Sequence, residues 1–243
     1  MKEILSKLKA ESPGSAFYLA LVVFCALLFQ SPAPQAAGGI GREELQSESS
    51  KPQESPKPQE KWLNPELRGE LVKMYKEDQD LLKVLGEAKD DAERKERANR
   101  VKEVAHLHFN RMKEIVNQYG WPGKTMVGSF GAQAAFLMVQ HSDGELEFQK
   151  KCLELLKEAA AKKEATLEHV AYLTDRILVA EKKKQVYGTQ FGPCEKDDPN
   201  GPCPIEDPEH VEDRRKEMGM MPLTKYMEMM RQMRAKQETK SNQ

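Results

Sequence analysis

The sequence predicts a mainly α-helical fold, in which a bundle of helices surrounds one short buried helix and a small β-hairpin follows. Three observations lead to this prediction. Residues 125–143 (TMVGSFGAQAAFLMVQHSD) form a segment that is apolar on almost every side of a helix, as expected for a helix surrounded by protein. Neighbouring segments repeat apolar residues at helical spacing, whereas residues 185–191 alternate as a strand does.

The composition is that of a soluble domain rather than of a nucleic-acid-binding protein. The chain has 243 residues, of which 32% are charged and 7% aromatic, and its formal net charge is −1. A protein that binds nucleic acid needs an excess of basic residues, so we expect no nucleic-acid partner. We expect one helical domain over residues 62–235 and a loose polar tail over residues 236–243.

The N-terminal segment has the pattern of an export signal. Lysines in the first fifteen residues precede an uncharged apolar run at residues 16–29, which is shorter than the roughly 20 residues of a membrane-spanning helix. We expect residues 1–37 to be a signal peptide, with a retained membrane anchor at residues 16–29 as the alternative. In both cases the domain is exported and is periplasmic or extracellular, and the membrane is a partner only if the segment is not cleaved.

Residues 38–61 read as a disordered linker. They are rich in Pro, Ser, Gln and Glu, and the sequence KPQE occurs at 51–54 and again at 57–60. Such a segment cannot offset its ordering entropy by burying apolar surface, and its prolines favour extended polyproline II structure. We therefore expect a spacer between the signal or membrane and the domain.

Polar residues interrupt the apolar faces of the first two helices. The first helix begins at Asn64-Pro65, and Asp78 lies at the centre of its apolar stripe. Either the helix bends there and the carboxylate is solvated, or Asp78 is buried and held by an Arg or His. His108 holds the equivalent place on the second helix, residues 91–119, where a hydrogen-bonded core histidine is more common than a ligand. In an antiparallel hairpin, Asp78 and His108 could face each other.

The buried third helix follows a Gly/Pro turn that contains Trp121, and it ends in the polar residues Gln140, His141 and Asp143. A fourth helix carries Cys152 on its apolar face. A fifth helix carries Asp175 and Arg176, and periodicity alone places Arg176 on the surface more often than not.

The predicted hairpin pairs residues 185–191 with residues 202–205 across a turn-rich stretch. Cys194 and Cys203 flank this stretch, and in an exported protein they could form a disulfide, which would leave Cys152 as a buried free thiol. Two more helices follow, one after Asp207-Pro208 and one from Pro222.

Several short motifs stand in a fixed order. They are GWP at 120–122, QHSD at 140–143, YLTDR at 172–176, YGTQ at 187–190, IEDP at 205–208 and RR at 214–215 with Gly219. In these motifs the chain resembles a bacterial domain family of unknown function over about residues 65–230. The resemblance implies a common domain that often lies behind an export signal, and it implies no known reaction. Members of the family commonly carry a polar residue near the end of the first helix, which fits Asp78.

Three functions are compatible with these polar residues. The first is a domain that binds a small polar ligand or a peptide; the second is a hydrolase or transferase; the third is a structural module with a buried polar network. In the enzyme, His141 would act with Asp143 or Asp175 while Arg176 holds the substrate. Candidate ligand-binding residues, most of them at or near the hairpin and the two helix interruptions, are Tyr187, Thr189, Gln190, Glu206, Asp207, His108, Asp78 and Trp121. We expect no cofactor, and no metal, because His141-x-Asp143 supplies too few ligands.

Overall fold

The computed structural model describes residues 62–192, 194 and 201–241. The predicted signal, the predicted linker up to residue 61 and residues 195–200 of the turn lie outside the described residues. The described part contains seven α-helices and confirms the mainly helical prediction. They are α1 (Pro65–Gly86), α2 (Asp91–Tyr119), α3 (Lys124–Gln140), α4 (Leu146–Ala161), α5 (Leu167–Ala180), α6 (Val211–Glu217) and α7 (Leu223–Ser241), with a 3₁₀-helix at Pro208–His210 before α6.

Helices α1 and α2 begin where a side chain accepts one of the first free N–H groups. The Asn64 side chain accepts from the backbone N–H of Leu67 at 2.9 Å, and Pro65 fills the first position of α1. The Asp90 side chain caps α2 in the same way. At the other end of α2, Gly120 adopts φ 70°, a conformation that suits glycine and stops the helix.

Helix α3 lies in the middle of the fold and packs against α1, α2, α4 and α5. Residues 134–139 are each at most 2% exposed, which confirms the predicted buried helix. Gly128 interrupts its helical geometry with φ 73°, and the Trp62 indole occupies the space that a Cβ atom there would need. The Arg68 guanidinium lies 3.9 Å from the centre of the Trp62 ring and donates to the carbonyl of Val127. Through these contacts Trp62 is held against the central helix α3.

One large apolar core connects α3 with the other helices, and a small second cluster of Leu82, Leu85 and Val101 joins the far ends of α1 and α2. Among the described helices, none is both long and apolar enough to cross a membrane. Helix α7 continues to Ser241. Residues 236–241 of the predicted tail therefore have a helical backbone.

The predicted β-hairpin is not present in the described residues. Only two isolated bridges link its segments, a parallel one between Gln185 and Ile205 and an antiparallel one between Phe191 and Pro202. The physical reason lies in the backbone N–H groups of residues 186–190. Side chains of Asp175 and Gln185 accept from the N–H groups of residues 186, 187, 189 and 190, so these groups are satisfied without a strand partner. Backbone hydrogen bonds join the two segments only near their ends, at residues 185, 190 and 192.

Candidate functional site

Asp78 and His141 form a buried pair between α1 and the end of α3. The imidazole Nδ1 lies 3.0 Å from both carboxylate oxygens of Asp78, and Gln79 Nε2 donates to one of them at 3.0 Å. Asp78 is 6% exposed and His141 7%. A carboxylate therefore interrupts the apolar stripe of α1 because a histidine from α3 holds it, which is the second of the two interpretations of Asp78.

Asp78 and His108, which could face each other in an antiparallel hairpin, are not hydrogen-bonded to each other. His108 Nε2 instead lies 3.4 Å from a carboxylate oxygen of Glu77, whose side chain is half exposed. Consecutive helical residues point about 100° apart, so Glu77 can turn toward α2 while Asp78 turns toward α3. The two histidines use neighbouring carboxylates of α1.

Three polar side-chain atoms at the end of α3 are buried and have no hydrogen-bond partner in the described residues: His141 Nε2 and both atoms of the Gln140 carboxamide. The Gln140 side chain is fully buried. Gln149 donates to the backbone carbonyls of Val139 and Gln140, so it completes the end of the helix but does not reach that carboxamide. We call Asp78, Gln140 and His141 the α3-end site.

Arg176 and Asp143 form a second pair beside this site. Arg176 donates from Nη2 at 2.6 Å and from Nε at 3.1 Å to the same oxygen of Asp143. Arg176 is only 4% exposed, so the periodicity-based expectation of a surface residue is wrong. The guanidinium tolerates burial because the turn after α3 brings a carboxylate to it, and periodicity carries no information about that partner. The Asp143 side chain remains 42% exposed.

Asp175, the neighbour of Arg176 on α5, holds the segment at residues 186–189. Its fully buried carboxylate accepts from the backbone N–H groups of Val186 at 2.7 Å, Tyr187 at 3.1 Å and Thr189 at 3.0 Å, and from the Thr189 hydroxyl at 2.9 Å. Burial raises the pKa of the Asp175 carboxyl, while these four donors act in the opposite direction. The carboxylate has no accepting capacity left that a substrate would need.

Two arginines bind the backbone carbonyls of the same segment. Arg214 Nε donates to the carbonyl of Val186 at 3.0 Å, and Arg215 Nη1 donates to the carbonyl of Tyr187 at 2.6 Å. In both Val186 and Tyr187, the N–H thus donates to a carboxylate and the carbonyl accepts from a guanidinium. We call Asp175, Arg214 and Arg215 the peptide clamp. Its arginines belong to a motif noted in the sequence, but no sequence signal assigned them to a site.

Gln185 and Gln190 extend the clamp toward the cysteines. Gln185 Nε2 donates to the carbonyls of Gln190 and Cys203, and Gln185 Oε1 accepts from the N–H of Gln190 at 2.8 Å. Gln190 Nε2 donates to the Thr189 hydroxyl. Cys203 is disulfide-bonded to Cys194, with their Cα atoms 5.1 Å apart. This network fixes the segment that the sequence predicted as a strand.

Glu206 and Asp207 lie beside the peptide clamp, because Arg214 also donates to their backbone carbonyls at 2.7 and 2.8 Å. The side chains of Glu206 and Asp207 are exposed, and a hydrogen bond from His210 lowers the pKa of Asp207. Trp121 is part of the apolar core. Cys152 is a buried free thiol, and burial raises its pKa to about 12, so it is not a ready nucleophile.

The structure divides the predicted catalytic set into three units. The carboxylate that contacts His141 is Asp78 rather than the predicted Asp143 or Asp175. Asp143 is bound to Arg176, and Asp175 belongs to the peptide clamp. An imidazole oriented by a carboxylate through Nδ1 can use Nε2 as a hydrogen-bond acceptor or as a general base. The α3-end site is therefore the candidate for such chemistry.

Comparison with known proteins assigns the chain to a family without assigning it a function. No curated protein and no solved structure matches it. Residues 65–237, which cover α1 to most of α7, match a family described as a family of unknown function, DUF6624. The match confirms the resemblance that the ordered motifs indicated. The chain therefore belongs to the family of unknown function DUF6624.

Proposed function

We propose that the domain binds a small polar ligand, or a polar group of a peptide, at the α3-end site. One observation carries the proposal: His141 Nε2 and the Gln140 carboxamide are buried without a hydrogen-bond partner in the described part of the chain. Each buried donor or acceptor that lacks a partner costs about 1–3 kcal/mol. Native proteins usually satisfy such groups with ordered water or with a ligand.

The rest of the polar network supports the site as a scaffold. Asp78 orients the imidazole through Nδ1, and Arg176 holds the turn after α3 through Asp143. The peptide clamp fixes the segment after α5 from both sides. The candidate binding atoms therefore project from positions that need little reorganisation when a ligand binds, which lowers the cost of binding.

We propose further that the domain works outside the cytoplasm. The apolar run at residues 16–29 has the length of a signal core, and the disulfide between Cys194 and Cys203 fits an oxidising compartment. A fusion of residues 1–61 to a reporter that is active only after export tests this part. A reporter that stays inactive, with the protein expressed, would contradict it.

The binding proposal is tested by thermal unfolding of the purified protein in the presence of polyols, sugars, amides, amino acids and small peptides. A ligand present at about 100 times its Kd stabilises the folded state by about 2.7 kcal/mol. We expect a compound that raises the Tm of the natural protein and has no effect on His141→Ala. His169→Gln is the matched control, since His169 is also 7% exposed and its ring stacks on Phe136. A shift that survives in His141→Ala places the ligand elsewhere.

Hydrolase or transferase activity is a second candidate, and the orientation of His141 by Asp78 favours it. A positioned imidazole contributes about 10²–10⁴-fold as a general base. In that case His141→Ala abolishes turnover but leaves ligand affinity largely intact. If His141→Ala instead lowers only stability, and no compound binds, the polar groups form the structural module.

A further inference from the structure

We infer that the α3-end site selects ligands that present a hydrogen-bond donor, a hydroxyl or an amine N–H, to Nε2 of His141, and that this nitrogen excludes anionic oxygens. This inference rests on the proposed binding function and specifies its ligand chemistry. It also gives Arg176 no part in holding the ligand, unlike the sequence-based hypothesis that Arg176 holds the substrate.

The first step is the position of the imidazole hydrogen. An ionised carboxylate has only acceptor sites, and both oxygens of Asp78 lie 3.0 Å from Nδ1 of His141. The hydrogen of the neutral ring must therefore be on Nδ1, where it is donated to Asp78. Nε2 then carries a lone pair and can only accept.

The second step is the absence of an internal donor. Nε2 is buried, and none of the described residues donates to it. The neighbouring hydroxyl of Ser142 is directed to the backbone carbonyl of Met138 at 2.8 Å. A hydroxyl or amine of a ligand would donate a hydrogen bond to Nε2. A carboxylate or phosphate oxygen would instead place its own lone pair against the lone pair of Nε2.

The charges around the site act in the same direction. The carboxylate of Asp78 lies directly behind the ring, and it disfavours a second negative charge in front of it. Arg176, which could attract an anion, is already bound to Asp143 through two of its nitrogens. The described ion pairs of Asp78 include no Lys or Arg, so no cationic side chain masks its charge.

Asp78 acts here as a positioning residue, and its replacement gives a sharp expectation. In Asp78→Asn the carboxamide can donate to Nδ1, which moves the ring hydrogen to Nε2. The site then presents a donor in place of an acceptor. Its preference should change from ammonium groups to carboxylates, while hydroxyls, which can donate or accept, should bind in both proteins. A merely structural role of Asp78 would not produce this change.

The experiment measures the histidine nitrogens of the ¹⁵N-labelled full chain by NMR at about pH 8, where ordinary imidazole is neutral. The probes are ethylene glycol, methylammonium and acetate. In the natural protein we expect the His141 Nε2 signal in the range of an unprotonated nitrogen. It should move on addition of ethylene glycol or methylammonium and remain unchanged with acetate. The two donor probes separate a neutral ligand from a cationic one, and the signal of His169 serves as the internal control.

The possible outcomes separate this inference from the proposed function. Movement with acetate alone, or an Nε2 signal of a protonated nitrogen, overturns the donor rule while the binding site remains. No movement with any probe, together with no stabilising compound in the thermal screen, overturns both. If Asp78→Asn does not fold, the probe titration of the natural protein still decides the inference.

Discussion

Replacing Asp175 by Asn tests how much the peptide clamp contributes to stability. The variant keeps the shape of the side chain but turns one accepting oxygen into a donating NH₂ group. One oxygen of Asp175 accepts from the N–H groups of Val186 and Tyr187, and the other accepts from the N–H and hydroxyl of Thr189. Whichever oxygen is replaced, at least one buried backbone N–H then faces another donor.

The magnitude follows from these contacts. An N–H that loses its acceptor costs about 1–3 kcal/mol, and the remaining bonds lose the advantage of a charged acceptor, about 1 kcal/mol each. Relief from burying a charge offsets part of this loss, because burial raises the pKa of Asp175. We expect a net loss of about 3 kcal/mol in the free energy of unfolding. For a domain of this size that corresponds to a decrease in Tm of about 6–12 °C.

The assay is urea unfolding followed by circular dichroism, with the free energy extrapolated to water. Asp213→Asn is the matched control, because Asp213 is an exposed residue of α6 and its replacement should change stability by less than about 0.5 kcal/mol. A loss below about 1 kcal/mol in Asp175→Asn would refute the reasoning, since the backbone N–H groups would then have found other acceptors at little cost.

Three further predictions concern other parts of the fold. Gly128→Ala should lower the free energy of unfolding by about 2 kcal/mol or more, since residue 128 has φ 73° and its new Cβ would collide with the Trp62 indole; urea unfolding measures this. Acidification should destabilise the protein through His169, because burial, with a smaller effect of Lys124, lowers its pKa to about 3. Between about pH 6.5 and 3, the unfolded chain binds a proton at His169 that the folded state does not bind. The free energy of unfolding therefore falls by up to about 1.4 kcal/mol for each pH unit of acidification. His169→Gln should show a shallower pH dependence. Reduction of the disulfide should cost a little under about 3 kcal/mol, measured as a lower Tm in the presence of a reductant.

Each of these predictions has its own control. Gly86→Ala should have little effect on packing, because a Cβ atom at residue 86 meets no other atom within 4 Å. Equal pH slopes in the natural protein and in His169→Gln would contradict the assignment of that proton. Cys152→Ser, which leaves the disulfide intact, should respond to the reductant as the natural protein does.

Local patterns were sufficient to predict the helices and the burial of α3. A segment such as AAFLMV at residues 134–139 has no face that could be exposed to water at low cost, so its burial follows from composition alone. Asp78 was visible as an anomaly for a related reason, since a carboxylate in an apolar stripe requires an explanation. The partner of Asp78 could not be predicted, because His141 is 63 residues away in the sequence.

The errors share one physical origin. Periodicity describes which face of an element a residue occupies, but it does not describe the partner that makes burial favourable. Arg176 was assigned to the surface because the carboxylate of Asp143 comes from a distant turn. The segment at residues 185–191 was predicted as a strand because its extended bias is genuine, although Asp175 and Gln185 take the hydrogen bonds of its backbone.

Asp175 and Arg176 are adjacent on α5, so this one helix positions two separate regions of the fold. One residue reaches the segment after α5 and the next reaches the turn after α3. Insertion of a single residue upstream of them in α5 would rotate both side chains by about 100° and would detach both regions together. The turn beside the α3-end site and the segment after α5 therefore depend on the register of the same helix.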